Sequence, residues 1–316
     1  MGHRESFLVT GAAGFVGSCL VRRLLSLQKD VSLLLKSDSR PWRLKGIIKQ
    51  ARVFEGDLTD FKAVSRAVKK IKPTVIYHLA AHGAYPFQKD AEKIIKTNIL
   101  GTWNILKACD EIDYKVFVNT GSSSEYGAKS HAMTETNLLE PNSYYAVAKS
   151  AQTLLCQHVA RSQKRPITTF RLFSVYGPYE EPSRLVPTLM RSCLTGNELK
   201  MVAPQTARDF IFVDDVIDAY LCLENLTKLS GDVINIGTGK QKTIKDAVDC
   251  TLKITSIPVN VRWGKMPARI WDASTWVADT TKSKMLLGWR AKISLEEGFQ
   301  KTWQWFKDNK SLWTGR

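Results

Sequence analysis

No stretch of this chain approaches the roughly 18 consecutive apolar residues that a membrane-spanning helix needs. Its first strand-like segment starts by Phe7, which leaves no room for a secretory leader. Both absences predict a cytoplasmic protein with no membrane partner. The opening MGHRES fits a loose myristoylation pattern through Gly2, but that glycine sits hard against the strand, and we read the match as coincidence. Cysteine is sparse and scattered: Cys19, Cys109, Cys156, Cys193, Cys222 and Cys250 include no CxxC pair and no histidine at ligand spacing. That excludes a disulfide framework, and no metal is expected. Internal repeats, low-complexity segments and long basic blocks are also lacking. The formal charge of +16 favours anionic partners, either nucleic acid or phosphorylated small molecules. Because the cations are spread along the whole chain with no aromatic-interleaved patch, no nucleic-acid partner is expected.

What the chain does contain is alternation. Its 316 residues suffice for about two domains. From Phe7 to about Phe173, the runs FLVT, VSLLL, ARVFE, TVIYHLA, KVFVNT and ITTFRLF read as strands, with helical periodicity over residues 14–27, 60–70, 90–110 and 143–162. Strands that are apolar on both faces and separated by helices form a parallel sheet covered on both sides. The fold class is therefore α/β, a doubly wound (Rossmann) parallel sheet forming a dinucleotide-binding domain over residues 1–173. Beyond it the rhythm breaks into glycine- and proline-containing loops, with helices near 184–194, 214–226, 244–254 and 295–307. Residues 174–316 are expected to form a smaller mixed α/β substrate domain, some segments of which return to the first.

In LVTGAAGFVGSCL, Gly11, Gly14 and Gly17 lie between the first strand and the first helix. The first glycine permits the turn, and the second lets backbone approach a pyrophosphate. The helix start at Phe15, Val16 and Gly17 offers unpaired N–H groups to its charge. A helix entered through a tight turn is the alternative reading of the same spacing. An acid at the end of the second strand would bind ribose hydroxyls and point to NAD. Here Leu35 stands in that place, followed by Lys36, Ser37 and Arg40. Cations and a hydroxyl suit a 2′-phosphate, so NADP is the expected cofactor and NAD the alternative, through Asp38.

In PNSYYAVAKSA, Tyr145 and Lys149 are four apart and share a helix face, whereas Tyr144 lies about 140° round from the lysine. Tyr145 is the candidate acid/base. An ammonium about 4 Å from a phenol favours the phenolate by up to about 4 kcal/mol at an effective dielectric of about 20, enough to bring a group of pKa near 10 toward neutral pH. FVNTGSSSEYG leaves the fifth strand at its carboxyl end, where ligands bind in doubly wound sheets. Ser122 is placed there to hydrogen-bond the reacting oxygen while Tyr145 moves its proton and Lys149 holds the nicotinamide ribose.

These motifs resemble the extended short-chain dehydrogenase/reductases of the nucleotide-sugar epimerase, dehydratase and 4-ketoreductase type, and the likeness runs nearly end to end. It takes in GDLTD, YHLAA, TNILGT, RLFSVYGP, RDFIFVDDV, NIGTG and VADTTKSKMLLGW. The resemblance implies that Asp57 and Leu58 flank adenine, that Leu79, Ala80 and Ala81 line the cofactor, and that Asn98 joins them. It puts Arg208 and Arg269 on the substrate diphosphate, with Asp272 in register; a surface ion pair is the alternative for each arginine. Relatives usually carry asparagine where this chain has Ser174, which implies an altered sugar or phosphate fit. His82, Tyr85 and Gln88, in the loop after the fourth strand, are placed to touch the sugar or to form an ordinary loop. The implied partners are a nucleotide-diphosphate sugar and a second copy of the chain, paired through the helices at 90–110 and 143–162.

Family dehydratases place acidic groups directly after the catalytic hydroxyl residue, where this chain has Ser123 and Ser124, with Glu125 one position later. That demotes 4,6-dehydration and leaves Ser123 as a substrate contact. The expected reaction is hydride chemistry at C4: reduction of a 4-keto nucleotide sugar, with 4-epimerisation as the alternative. Some relatives bind RNA without catalysis, but the intact Ser122, Tyr145 and Lys149 argue against that role here.

Overall fold

The computed structural model describes residues 5–267 and 272–313. Six parallel-type strands arise where the sequence alternates short apolar runs with turn residues: β1 (Ser6–Thr10), β2 (Asp30–Leu35), β3 (Arg52–Glu55), β4 (Val75–His78), β5 (Val116–Ser122) and β6 (Ile167–Leu172). With the strand Asp232–Ile236 they form one seven-stranded sheet in the order Asp232–Ile236, β6, β5, β4, β1, β2, β3. The pairs β1–β2, β1–β4, β2–β3 and β4–β5 are parallel. This is the doubly wound order, which reverses direction at β1 and β4 and opens a crevice at their carboxyl ends.

The covering helices are α1 (Phe15–Ser26), α2 (Phe61–Ile71), α3 (Ala91–Ile95), α4 (Gly101–Cys109) and α5 (Tyr144–Ser162). One layer of the core packs Leu8, Leu34, Ile76 and Phe117 of the sheet against Val64, Val68, Ile105 and Cys156 of the helices. The periodicity over 90–110 reads as one helix, but a π-turn at Lys96–Leu100 divides α3 from α4. Among the described residues no helix is long and apolar enough to cross a membrane.

Two compact units divide the chain. The first contains residues 1–127, 138–171 and 217–234, and the second residues 128–137, 172–216 and 235–316. In the second, helices Leu185–Thr195, Ile244–Thr255 and Leu295–Asp308 accompany short two-stranded ladders. Its centre is organised by the buried Asp209. That carboxylate accepts the Thr238 N–H at 2.8 Å, the Thr238 hydroxyl, the Gly239 N–H at 3.0 Å and the Ala278 N–H at 3.1 Å. One side chain thus draws RDF, NIGTG and VAD together.

Candidate active site

The first unit collects most of the residues singled out above. At the end of β1, Gly11 takes φ +70°, and a Cβ there would lie 2.5 Å from the Ala80 nitrogen and the Leu79 carbonyl carbon. Only glycine allows the turn after β1 to touch the backbone that leaves β4. A Cβ at Gly17 would run into the Gly11 carbonyl oxygen, so the start of α1 also rests directly on that turn. Gly14 begins α1 with extended backbone; no side chain caps the helix and no acid lies in its first turn. The N–H groups and dipole at Phe15, Val16 and Gly17 therefore face their surroundings without a competing anion, which fits a dinucleotide diphosphate.

Around the end of β2 the charges differ from the expectation. Leu35 is buried, and Lys36 pairs with Asp57 at 2.7 Å. That bond raises the lysine above its usual value. Burial pushes the Asp57 carboxyl up, but Lys36 and the Thr59 backbone more than offset it and leave the group below its usual range. A cavity of about 460 Å³ beside this pair is lined by Lys36, Asp38, Glu55, Asp57, Asp60 and Arg66 among others. Carboxylates outnumber cations among those six side chains. Arg40 is exposed in the following segment. Leu58 is buried, and its carbonyl accepts from Asn104 Nδ2 at 2.8 Å.

β5 delivers the candidate catalytic hydroxyl. Ser122 ends the strand and caps the short 3₁₀ turn Ser123–Tyr126, while its N–H donates to Glu125 Oε1 at 2.7 Å. Glu125 is fully buried and faces Arg171 at 2.8 Å. Burial pushes this carboxyl up, against the pull of the guanidinium. The Ser122 and Ser124 hydroxyls lie 2.8 Å apart, both partly exposed, whereas Ser123 is buried. The turn therefore pairs Ser124 with Ser122, while Ser123, predicted as a substrate contact, is buried.

Ser143 caps α5 through the Ala146 N–H at 3.2 Å, which starts the helix at Tyr144. Tyr144 is 65% exposed, Tyr145 half-buried and Lys149 buried. The Lys149 Nζ lies 6.0 Å from the centre of the Tyr145 ring and donates to the Thr120 carbonyl at 2.7 Å and to Gln152 Oε1 at 2.9 Å. Burial lowers its pKa to about 8, with Glu125 acting in the other direction.

The loop after β4 is fixed by a directed chain of hydrogen bonds. Asn98, buried in the π-turn, accepts the His82 N–H and donates to the His82 carbonyl, each at 2.8 Å. Asn98 thus clasps the loop beyond Leu79, Ala80 and Ala81. Thr102 donates its hydroxyl to the Asn98 carbonyl at 2.6 Å, so it receives the His78 Nε2–H at 2.9 Å. His78 Nδ1 then accepts from the Thr10 hydroxyl at 2.8 Å. Burial, with Lys149 adding to it, holds this imidazole neutral and lowers its pKa to about 3. Gln88 Oε1 accepts from the Gly83 and Tyr85 N–H groups, at 3.0 and 3.3 Å, and the Tyr85 ring stacks on Phe87. A Cβ on Gly83 would stand 3.4 Å from that of Tyr145, so this loop lies beside the candidate acid/base.

In the second unit, Ser174 is half-buried at the head of the strand Ser174–Tyr176. Arg208 donates to Asp272 Oδ1 at 2.8 Å and to the Ala207 carbonyl at 2.6 Å, with its guanidinium 5.9 Å from the Trp276 ring centre. Arg269 lies outside the described residues. The residues that sequence reasoning passed over are Ser124, the partner of Ser122, and Gln152, the partner of Lys149. Gln152 carried a local signal, since it stands three residues after the lysine on the same helix.

The profile of the NAD dependent epimerase/dehydratase family matches residues 7–237. The chain is 27% identical to a UDP-glucose 4-epimerase of Lactobacillus helveticus, over 96% of this chain and 97% of that one. It is 27% identical to a dTDP-glucose 4,6-dehydratase of Neisseria meningitidis, over 98% and 95% of the two chains. The crystal structure of a UDP-glucuronic acid 4-epimerase from Bacillus cereus, in complex with UDP-glucuronic acid and NAD, superposes with a TM-score of 0.85. Its identity is 28%, with 96% of this chain and 99% of that chain covered.

Proposed function

We propose, from the premise that the chain belongs to the NAD dependent epimerase/dehydratase family, that it carries out hydride chemistry at C4 of a nucleotide-diphosphate sugar with Tyr145 as acid/base. The observation that carries this reading is the buried Lys149 ammonium one helical turn beyond Tyr145, held to the end of the same strand that presents Ser122. The nicotinamide supplies the hydride acceptor and donor when bound. Tyr145 takes or returns the proton of the C4 hydroxyl, and the Lys149 charge favours its anionic form. Ser122, with Ser124 beside it, hydrogen-bonds the same oxygen and its neighbour. The glycine turn and the start of α1 hold the diphosphate, Asn98 keeps the loop after β4 in place, and Arg208, oriented by Asp272, meets the substrate's phosphates.

Two further observations narrow the reaction. Glu125, the carboxylate nearest the catalytic serine in sequence, is locked inside the protein by Arg171, so it is not available to eliminate water, and dehydration is disfavoured. The second is that Lys36 already pairs with Asp57 beside a cavity rich in carboxylates. This favours NAD over the NADP expected from sequence, and the relative from Bacillus cereus holds NAD. A retained NAD suits 4-epimerisation, which the epimerase relatives also support. Reduction of a 4-keto sugar is the second reading, favoured by the GSSSEYG turn in which serine replaces the dehydratase acids.

A second copy of the chain is the proposed partner. Ile95, Leu100 and Trp103 along α3, the π-turn and α4, and Tyr144, Val147 and Leu154 at helical spacing on α5, are exposed apolar side chains on neighbouring helices.

The test combines the purified protein with nucleotide-diphosphate hexoses and their 4-keto forms, in the presence of NAD(H) or NADP(H). Inversion at C4 without net change in nicotinamide absorbance is expected, and steady consumption of reduced nicotinamide would establish the reductase instead. Tyr145→Phe should abolish turnover and retain dinucleotide binding. Full activity in that variant would refute the assignment.

A further inference from the structure

A buried row of amides behind Lys149 supports one more inference, which rests on the catalytic reading above. An ammonium has three N–H donors and no acceptor. Gln152 must therefore face Lys149 with its carbonyl oxygen, at 2.9 Å. Its amide nitrogen is then turned to Asn119 Oδ1 at 2.7 Å, and Asn119 Nδ2 to the Thr169 hydroxyl at 3.1 Å. All four side chains are buried. A single cation thus dictates the orientation of both amides.

We propose that Gln152 is a positioning residue for the reaction, its carbonyl holding the Lys149 ammonium against the Thr120 carbonyl so that two donors are fixed by the protein and one remains for a bound ribose. The charged and titratable groups facing this ammonium are Tyr145 and Cys156 on α5, Glu125 with its partner Arg171 on β6, and His78 on β4. Of these, Glu125 brings the opposite charge but is itself committed to Arg171. The carbonyl oxygen of Gln152 is therefore, with that of Thr120, one of the two acceptors that hold the buried cation directly.

The test reads unfolding of the protein without dinucleotide as a function of pH. Lys149 has a folded pKa of about 8, below the ordinary 10.5. Below about pH 8 the group is charged in both states, and above 10.5 it is neutral in both. Between these limits the unfolded chain holds more protons, so stability contributed by this group rises with pH. Gln152→Met keeps the side-chain length and removes the acceptor, and should open that window about one pH unit lower. Gln152→Glu should close it upward by at least as much. The alkaline limb of kcat/KM should move in the same two directions.

A uniform loss of stability does not shift the window, so a merely structural role leaves it unmoved. If Gln152→Met fails to fold, Gln152→Glu carries the test. Windows coincident with wild type, or windows that move while the kcat/KM limb stays in place, would overturn the proposal. A wild type without turnover would instead overturn the catalytic reading, and the two failures are distinguishable because the stability window is read without substrate.

Discussion

Replacing Arg171 with methionine removes the cation that faces Glu125 at 2.8 Å, where neither side chain is more than 3% exposed. The methionine stem can still pack on Tyr126, whose ring centre lies 4.6 Å from the guanidinium. Glu125 keeps the Ser122 N–H at 2.7 Å and the field of the Lys149 ammonium, but neither replaces the contact ion pair that holds its charge out of water. The carboxyl takes up a proton instead, which limits the penalty. From the ordinary value of 4.5 to pH 7, at about 1.36 kcal/mol per unit, protonation costs about 3.4 kcal/mol. The native variant then holds more protons than its unfolded chain above pH 4.5, so its stability falls as pH rises and recovers as pH falls. At pH 5.5 the corresponding cost is about 1.4 kcal/mol. Wild-type Glu125 is already raised by burial, so both figures are upper bounds on the pH-dependent part of the difference between the two proteins. Urea unfolding at pH 5.5 and pH 7 measures the two deficits, and Glu125→Gln combined with Arg171→Met should recover most of the loss. A deficit equal at both pH values, or a double variant as unstable as the single one, would refute the reasoning.

Two further outcomes are expected. Gly17→Ala places a methyl group against the Gly11 carbonyl oxygen. It should cost about 1–3 kcal/mol in unfolding, and dinucleotide affinity measured by titration should fall at least about tenfold, or about 1.4 kcal/mol. Trp103→Glu sets a charge into the exposed apolar face of α4, and light scattering should then report a single chain where the wild type reports two.

Six of the seven strands were legible because each is a short apolar run bounded by turn residues, and the order of strands and helices admits few parallel arrangements; the seventh, Asp232–Ile236, was not read from the sequence. Tyr145 and Lys149 were legible for a related reason: their spacing is a property of the helix itself. Ser123 and Ser124 were harder to separate. Strand alternation stops at Ser122, and the 3₁₀ turn that follows buries Ser123 and brings the Ser124 hydroxyl beside that of Ser122. The environment of Lys36 depends on Asp57, and that of Arg208 on Asp272, which stands 64 positions away. Such pairings are set by tertiary packing and leave no periodic trace. The π-turn that carries Asn98 also escaped, because one extra residue in a helical turn barely alters an apolar pattern read over twenty positions.

The clasp made by Asp209 restricts how this protein can be recombined with its relatives. Segments at residues 209, 238–239 and 278 meet on one carboxylate that is fully buried. A chimera importing one of these three segments sets donors or the acceptor of one protein against the partners of another. Exchanges within this unit must therefore carry all three segments as a set.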